Sequence, residues 1–241
     1  MSAKELMITP NNLSTILLHE KPHVGQAILV TGAVPADTNP LLHNFFRAAV
    51  SSQPNEEEEG QIGILYLTRS RQTQRELKHF ADTQRSRVGQ EYYVRTYSRF
   101  DADEILEVMA DLEDDLELRY VIIEDIDLWP RDEVRQAARK LRDATQHGFL
   151  LVASSAFDRK AHELRSIEQD SSTFLELMRD GHYDKTKCLP LEFDVQILID
   201  ADEVQEHEGL TQTNVLIAKH RGHNPAPRNF FRVCHKLGVY Q

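Results

Sequence analysis

The stretch Ala27-Ile-Leu-Val-Thr-Gly-Ala-Val-Pro-Ala-Asp-Thr-Asn-Pro-Leu-Leu-His-Asn-Phe-Phe46 decides how the rest of this chain is read. A strand of buried type, Ala27 to Val30, runs into a loop of small residues, and an apolar helix is expected to start near Pro40. This is the outline of a phosphate-binding loop without the residues that bind phosphate. Such a loop needs G-x-x-x-x-G-K-[ST], because glycine amides wrap the phosphates, lysine neutralises them and Ser/Thr holds magnesium. Here Asp37, Thr38 and Asn39 stand where Gly, Lys and Ser/Thr would be wanted. An aspartate about 4 Å from a phosphate oxygen repels it by roughly 4 kcal/mol per charge pair at an effective dielectric of ~20. Taken by itself, the segment also reads as an ordinary strand-to-helix turn.

Outward from that stretch, apolar runs of strand length alternate with helical patterns. Strands are expected at Ala27–Val30, Ile62–Leu67, Tyr92–Thr96, Tyr120–Ile123 and Phe149–Ala153. Helical periodicity falls on Leu41–Val50, Gln72–Ala81, Ala102–Leu116 and Asp132–His147. Runs such as Val121-Ile-Ile123 and Phe149-Leu-Leu-Val152 lack alternation, which marks strands covered on both faces. Strands alternating with helices imply βαβ crossovers and a mainly parallel sheet in an α/β fold. After Cys188 the pattern changes to Val195–Ile199, Asn214–Ala218 and Asn229–Val233 with no helix between them, predicting antiparallel strands that extend the same sheet. The chain is read as one domain over 1–241, with an N-terminal extension at 1–23 and a mobile surface insertion at 166–190.

Its 241 residues suffice for one large α/β domain, and no apolar run approaches the roughly 20 residues of a membrane helix. The N-terminus, MSAKELMITPNNLST, has no basic segment followed by an apolar core, so no secretory leader is expected and the setting is read as cytoplasmic. Cys188 and Cys234 are too few and too far apart for a disulfide scaffold or a four-ligand zinc site. His220, His223 and His235, with Cys234, match no common ligand spacing. Glu124-Asp-Ile-Asp127 could meet a divalent cation only if the strand has already ended, because adjacent strand residues face opposite ways. No metal is therefore assigned. Ser154 and Ser155 are read as small residues at the carboxyl end of a strand, without the Gly-x-Ser-x-Gly elbow of a nucleophile.

The formal charge of -11 argues against polyanion binding by the whole surface, but the charge is unevenly spread. Arg69, Arg71, Arg75, Lys78, Arg85, Arg87, Arg95 and Arg99 crowd one third of the chain, whereas Asp101–Glu117 is strongly acidic. Lys219 to Gln241 holds no Asp or Glu but interleaves Lys219, Arg221, Arg228, Arg232 and Lys236 with Phe230, Phe231 and Tyr240. Basic residues among aromatics can hold a single nucleic-acid strand by phosphate contact and stacking. A half-exposed strand with Arg outside and Phe inside fits the same residues.

Taken in order, several of these segments resemble the RecA-type ATPase core, most closely the C-terminal domain of DnaB-type replicative helicases. Gln26–Phe46 resembles the P-loop unit and Gly63–Gln72 the second strand with its helix start. Tyr120–Leu128 resembles the Walker B strand, Leu150–Arg159 the sensor strand, and Phe193–Asp200 and Val215–Gly222 the final strand pair. The likeness runs from about Val24 to Val233 and implies a RecA-like three-layer α/β/α fold. The family's P-loop Gly, Lys and Thr fall on Asp37, Thr38 and Asn39, its catalytic Glu on Thr68, its Walker B Asp on Glu124 with Asp125 beside it, and its sensor Gln on Ala156. Only the late Lys-x-Arg pair, which in the helicases reaches a neighbouring subunit's nucleotide as an arginine finger does, is kept, as Lys219 and Arg221.

The resemblance therefore implies a degenerate, non-hydrolysing accessory or scaffold protein in DNA replication or repair. Its expected partners are a second copy, a RecA/DnaB-type ATPase or single-stranded DNA, with Arg69, Arg71, Arg228 and Arg232 as phosphate contacts. No cofactor and no membrane contact are expected. The alternative is an ATPase with an atypical loop, binding ATP and using Glu124 and Asp125 for magnesium.

Overall fold

The computed structural model describes residues 5–7, 25–33, 35–51, 62–88, 91–97, 101–113, 117–126, 131–156, 192–201, 210–220 and 230–236. Strands are β1 (Glu5–Met7), β2 (Ala27–Gly32), β3 (Ile62–Thr68), β4 (Glu91–Thr96), β5 (Glu117–Ile123), β6 (Leu150–Ala156), β7 (Val195–Ala201), β8 (Leu210–His220) and β9 (Phe230–Lys236). Helices are α1 (Pro35–Ser51), α2 (Arg71–Val88), α3 (Ala102–Glu113) and α4 (Arg131–Ala144), the last followed by a 3-10 turn at Thr145–His147. Gly148, at φ 114, supplies the left-handed residue that ends this turn, and its N–H returns to the Thr145 carbonyl at 3.0 Å.

The strands form one sheet in the order β1-β9-β8-β7-β2-β6-β5-β3-β4. Six of them, β7-β2-β6-β5-β3-β4, pair in parallel throughout. Alternation along each strand sends its side chains to two separate cores. Ile28, Val30, Ile64, Tyr66, Ile122 and Val152 pack with Leu41, Leu42, Phe45 and Phe46 of α1 and Leu77 and Ala81 of α2. Leu29, Leu65, Leu67, Val121, Ile123 and Leu151 pack with Ile105 and Met109 of α3 and Val134 and Leu141 of α4. The result is a three-layer α/β fold with a mainly parallel sheet, as expected from the unalternating strands.

One expectation is corrected. The helix after β2 starts at Pro35, not near Pro40. A mid-helix proline costs roughly 3 kcal/mol, which is why Pro40 looked like a boundary. The buried stripe, however, extends back to Thr38, continuing through Leu41, Leu42, Phe45, Phe46 and Ala49. Pro35 then takes the first helical position, where its missing N–H is no loss. The C-terminal strands β7, β8 and β9 pair antiparallel in chain order and extend the same sheet, as expected. β7 is a member of the parallel sheet beside β2, and only β8 runs against its neighbours, since both β7 and β9 pair antiparallel to it. The N-terminal extension contributes β1, which pairs in parallel with β9 at the sheet edge. The insertion expected at 166–190 lies outside the described residues.

Candidate functional site

An open α/β sheet binds ligands at the carboxyl ends of its strands, where neighbouring strands send their helices to opposite faces. That point lies between β3 and β5. The helix after β3 is α2, on one face, and the helix after β5 is α4, on the other. At these ends stand Thr68, the last residue of β3, and Glu124, just past β5.

Glu124 is 1% exposed, and both its carboxylate oxygens are engaged. Oε1 accepts from the Tyr66 hydroxyl at 2.6 Å and from His43 Nε2 at 2.7 Å, while Oε2 accepts from the Thr68 hydroxyl. The Thr68 oxygen in turn accepts the Ser70 N–H at 3.0 Å, and Ser70 caps α2 by accepting the Thr73 N–H at 3.1 Å. The backbone is fixed as well. Glu124 N–H donates to the Leu67 carbonyl at 3.0 Å, and the Tyr97 hydroxyl donates to the Glu124 carbonyl. Asp125, 8% exposed, adopts φ 55, and its N–H reaches the Ser154 hydroxyl at 2.9 Å. Aspartate tolerates the left-handed region better than most residues, at a local cost of about 1–2 kcal/mol. Burial pushes the Tyr66 phenol well above its usual range, and the adjacent Glu124 charge adds to the effect.

The crevice is thus closed by the protein's own donors. A buried carboxylate without partners would cost several kcal/mol, and each charge-assisted hydrogen bond returns about 1.5–3 kcal/mol. His43 and Tyr66 were not singled out from the sequence. Their signals were a histidine within the apolar stripe of α1 and a tyrosine within the apolar run of β3. Both are ordinary core features until Glu124 is placed beside them.

The other sequence candidates are spread over the fold. Asp37, Thr38 and Asn39 form part of the first turns of α1, with Thr38 buried and donating to Asn39 Oδ1 at 3.3 Å. Only Ala33 and Val34 separate β2 from α1. Ser154 and Ser155 lie within β6, both fully buried, and Ser155 shares a 3.2 Å hydrogen bond with Thr31. Arg69 and Arg71 are exposed at the start of α2, in line with exposed Arg75 and Lys78. Lys219 lies on β8 opposite Gln196, in the cross-sheet row that continues through Leu29, Ala153 and Ile123. Four strand spacings, about 19 Å, separate β8 from β5. Arg232 is on β9, opposite Asn214. Arg221, Arg228 and Asp127 lie outside the described residues.

A second polar cluster holds the approach to β7. Arg135 and Arg139 of α4 grip Glu192 at 2.8 and 3.0 Å, and Arg142 reaches Asp194 at 3.4 Å. Asp194 also accepts the Ala27 N–H at 3.0 Å, so one carboxylate joins α4, β2 and the entry to β7. The hydrogen bond from Arg139 is the main reason the Glu192 carboxyl lies below its usual range; burial opposes it and Arg135 reinforces it.

No protein-family model matches the chain, and no curated protein matches it. Among the described residues, no group of three or more His, Cys, Asp or Glu side chains is placed to hold a metal ion. No described helix is long and apolar enough to cross a membrane.

Proposed function

We propose that this chain is a non-hydrolysing, RecA/DnaB-like accessory or scaffold domain in DNA transactions, acting through contacts with protein or single-stranded DNA. The observation that carries this reading is the engagement of both carboxylate oxygens of Glu124 inside the protein. A carboxylate that holds magnesium must offer an oxygen to the ion at about 2.0–2.1 Å. Glu124, on the Walker B-like position, is buried with its oxygens committed to His43, Tyr66 and Thr68. Thr68, which falls where the family has its catalytic glutamate, is bound to the same carboxylate. The two-residue link between β2 and α1 leaves little loop backbone to wrap a triphosphate, in keeping with Asp37, Thr38 and Asn39 in place of the binding residues. Lys219 is too far from Glu124 to act on it within one chain, which favours a contact with another molecule. The exposed Arg69, Arg71, Arg75 and Lys78 suit a phosphate backbone.

Titration calorimetry with ATP and magnesium tests this reading. No saturable binding is expected below about a millimolar, the equivalent of roughly 4 kcal/mol. Tighter binding overturns the proposal. Light scattering with and without single-stranded DNA reads the contact half of it, and unchanged association in Lys219→Ala/Arg221→Ala removes that pair from the account.

One observation favours the second reading, an ATPase that uses Glu124 and Asp125 for magnesium. Asp125 holds a left-handed backbone conformation at the strand end, and such residues cluster at ligand sites. Turnover that disappears in Asp125→Asn would establish it.

A further inference from the structure

We infer that the groove between α3 and α4 is a docking site for a basic, amphipathic segment of a partner protein. The inference builds on the scaffold reading and names a class of partner for it. Two cavities lie along this groove, of about 480 and 310 Å3. The larger has an apolar lining that includes Leu106, Met109, Ala144 and Phe149, with exposed Ala110 at its border. Lys140 borders both cavities and binds Asp103 at 2.7 Å, marking the division between them.

Charge states what would cover this surface. Helix α3, Ala-Asp-Glu-Ile-Leu-Glu-Val-Met-Ala-Asp-Leu-Glu, carries no cation, and Asp103, Glu104, Glu107 and Asp111 are exposed. Asp101, Glu133 and Asp143 add carboxylates along the cavities. Helix α4 is rich in arginine, but Arg135 and Arg139 are engaged by Glu192. Arg142 is divided between Asp194 at 3.4 Å and Asp143 at 3.9 Å, so among the described residues no arginine of α4 pairs with Asp101, Glu104, Glu107 or Asp111. Among the described residues, Lys140 is the one cation lining the groove. An apolar floor with an acidic rim complements a segment that offers leucine-like anchors on one face and lysine or arginine on the other. From Asp101 to Ala110 the groove runs along about 14 Å of helix, room for two to three turns of such a ligand. The basic helix α2 of a second copy fits less well, since its described exposed positions are polar or charged.

The test uses the full chain and a fluorescein-labelled Lys/Leu peptide with Leu at helical i, i+3, i+4, i+7 spacing. A peptide of the same composition in scrambled order is the control, and anisotropy is read at physiological salt. The patterned peptide is expected to bind at least about tenfold tighter than the scrambled one, because only it can seat its leucines while pairing its charges. Ala110→Trp, which fills the cavity from an exposed position, and the surface variant Glu107→Lys/Asp143→Lys are each expected to lower that affinity by about tenfold. Equal binding of the two peptides, or binding that neither variant changes, overturns the inference. So does a mass of two copies in light scattering that Ala110→Trp returns to one, which would seat a second copy in the groove. ATP titration reads a different site, so the nucleotide-free reading and the groove can fail separately.

Discussion

Glu124 and Glu192 are both buried carboxylates beside strands of the same sheet, yet they are held in different ways. Glu124 is 2% exposed at the side chain and meets hydroxyls and an imidazole from α1 and β3. Glu192 is 8% exposed and meets two arginines that are themselves 46% and 58% exposed. The first network lies in the interior and fixes the crevice at the carboxyl end of the sheet. The second is a clamp at the surface that ties the entry of β7 to α4. Interior hydrogen bonds escape ionic screening, whereas pairs with exposed cations are screened over about 8 Å at physiological salt.

Four measurements break or sharpen this comparison. Glu124→Ala leaves the Tyr66, His43 and Thr68 donors facing a void, and a loss of about 3–5 kcal/mol is expected in urea unfolding, little changed by salt. A loss below about 1 kcal/mol would mean that the crevice does not need its carboxylate. Glu192→Gln removes the charge facing Arg135 and Arg139 and is expected to cost about 1–2 kcal/mol at low salt, less at 0.5 M. Because the Glu192 carboxyl is held below its ordinary 4.5, its contribution is present above that pH and is lost as pH falls through the depressed folded value. The acid limb of the stability profile should therefore flatten in Glu192→Gln.

Tyr66→Phe removes one donor to Glu124 and is expected to cost about 1 kcal/mol near neutral pH. The Tyr66 phenol is raised above 10.0, so the contribution of its protonated form is complete below that pH and is lost as pH rises through the higher folded value. Melting followed into the alkaline range should show a shallower fall in the variant; an identical slope would separate Tyr66 from the alkaline limb. Asp103→Asn breaks the pair with Lys140, whose side chains are 68% and 42% exposed. Its effect on stability is expected to stay within about 0.5 kcal/mol, because such surface pairs are weak.

Most of the fold was legible before any coordinates. Val121-Ile-Ile123 and Phe149-Leu-Leu-Val152 lie in or beside central strands covered by both helical layers, as their lack of alternation requires. The start of α1 was misread because local proline chemistry at Pro40 competed with a stripe of burial that reaches Thr38. The antiparallel run of the last strands was legible from the absence of helices between them, but the place of β7 in the sheet was not. Alternating apolar residues specify which face is buried, and do so equally for parallel and antiparallel neighbours, so the run at Val195–Ile199 could not announce its place beside β2. At the crevice, Glu124 and Thr68 could be picked out along the chain, but their direct hydrogen bond could not.

By themselves, the residues determined the alternation of strands and helices, the acidic stretch over Asp101–Glu117, and the substitution of Asp37, Thr38 and Asn39 at a P-loop-like turn. These are local properties, set by periodicity and charge within short windows. Only the tertiary structure decided that Glu124 meets His43 across 81 positions and Tyr66 across 58, and that Glu192 meets Arg135 across 57. Partners so distant in sequence are chosen by where the sheet order brings strand ends and helix faces together, and a buried carboxylate then takes whichever donors that packing supplies.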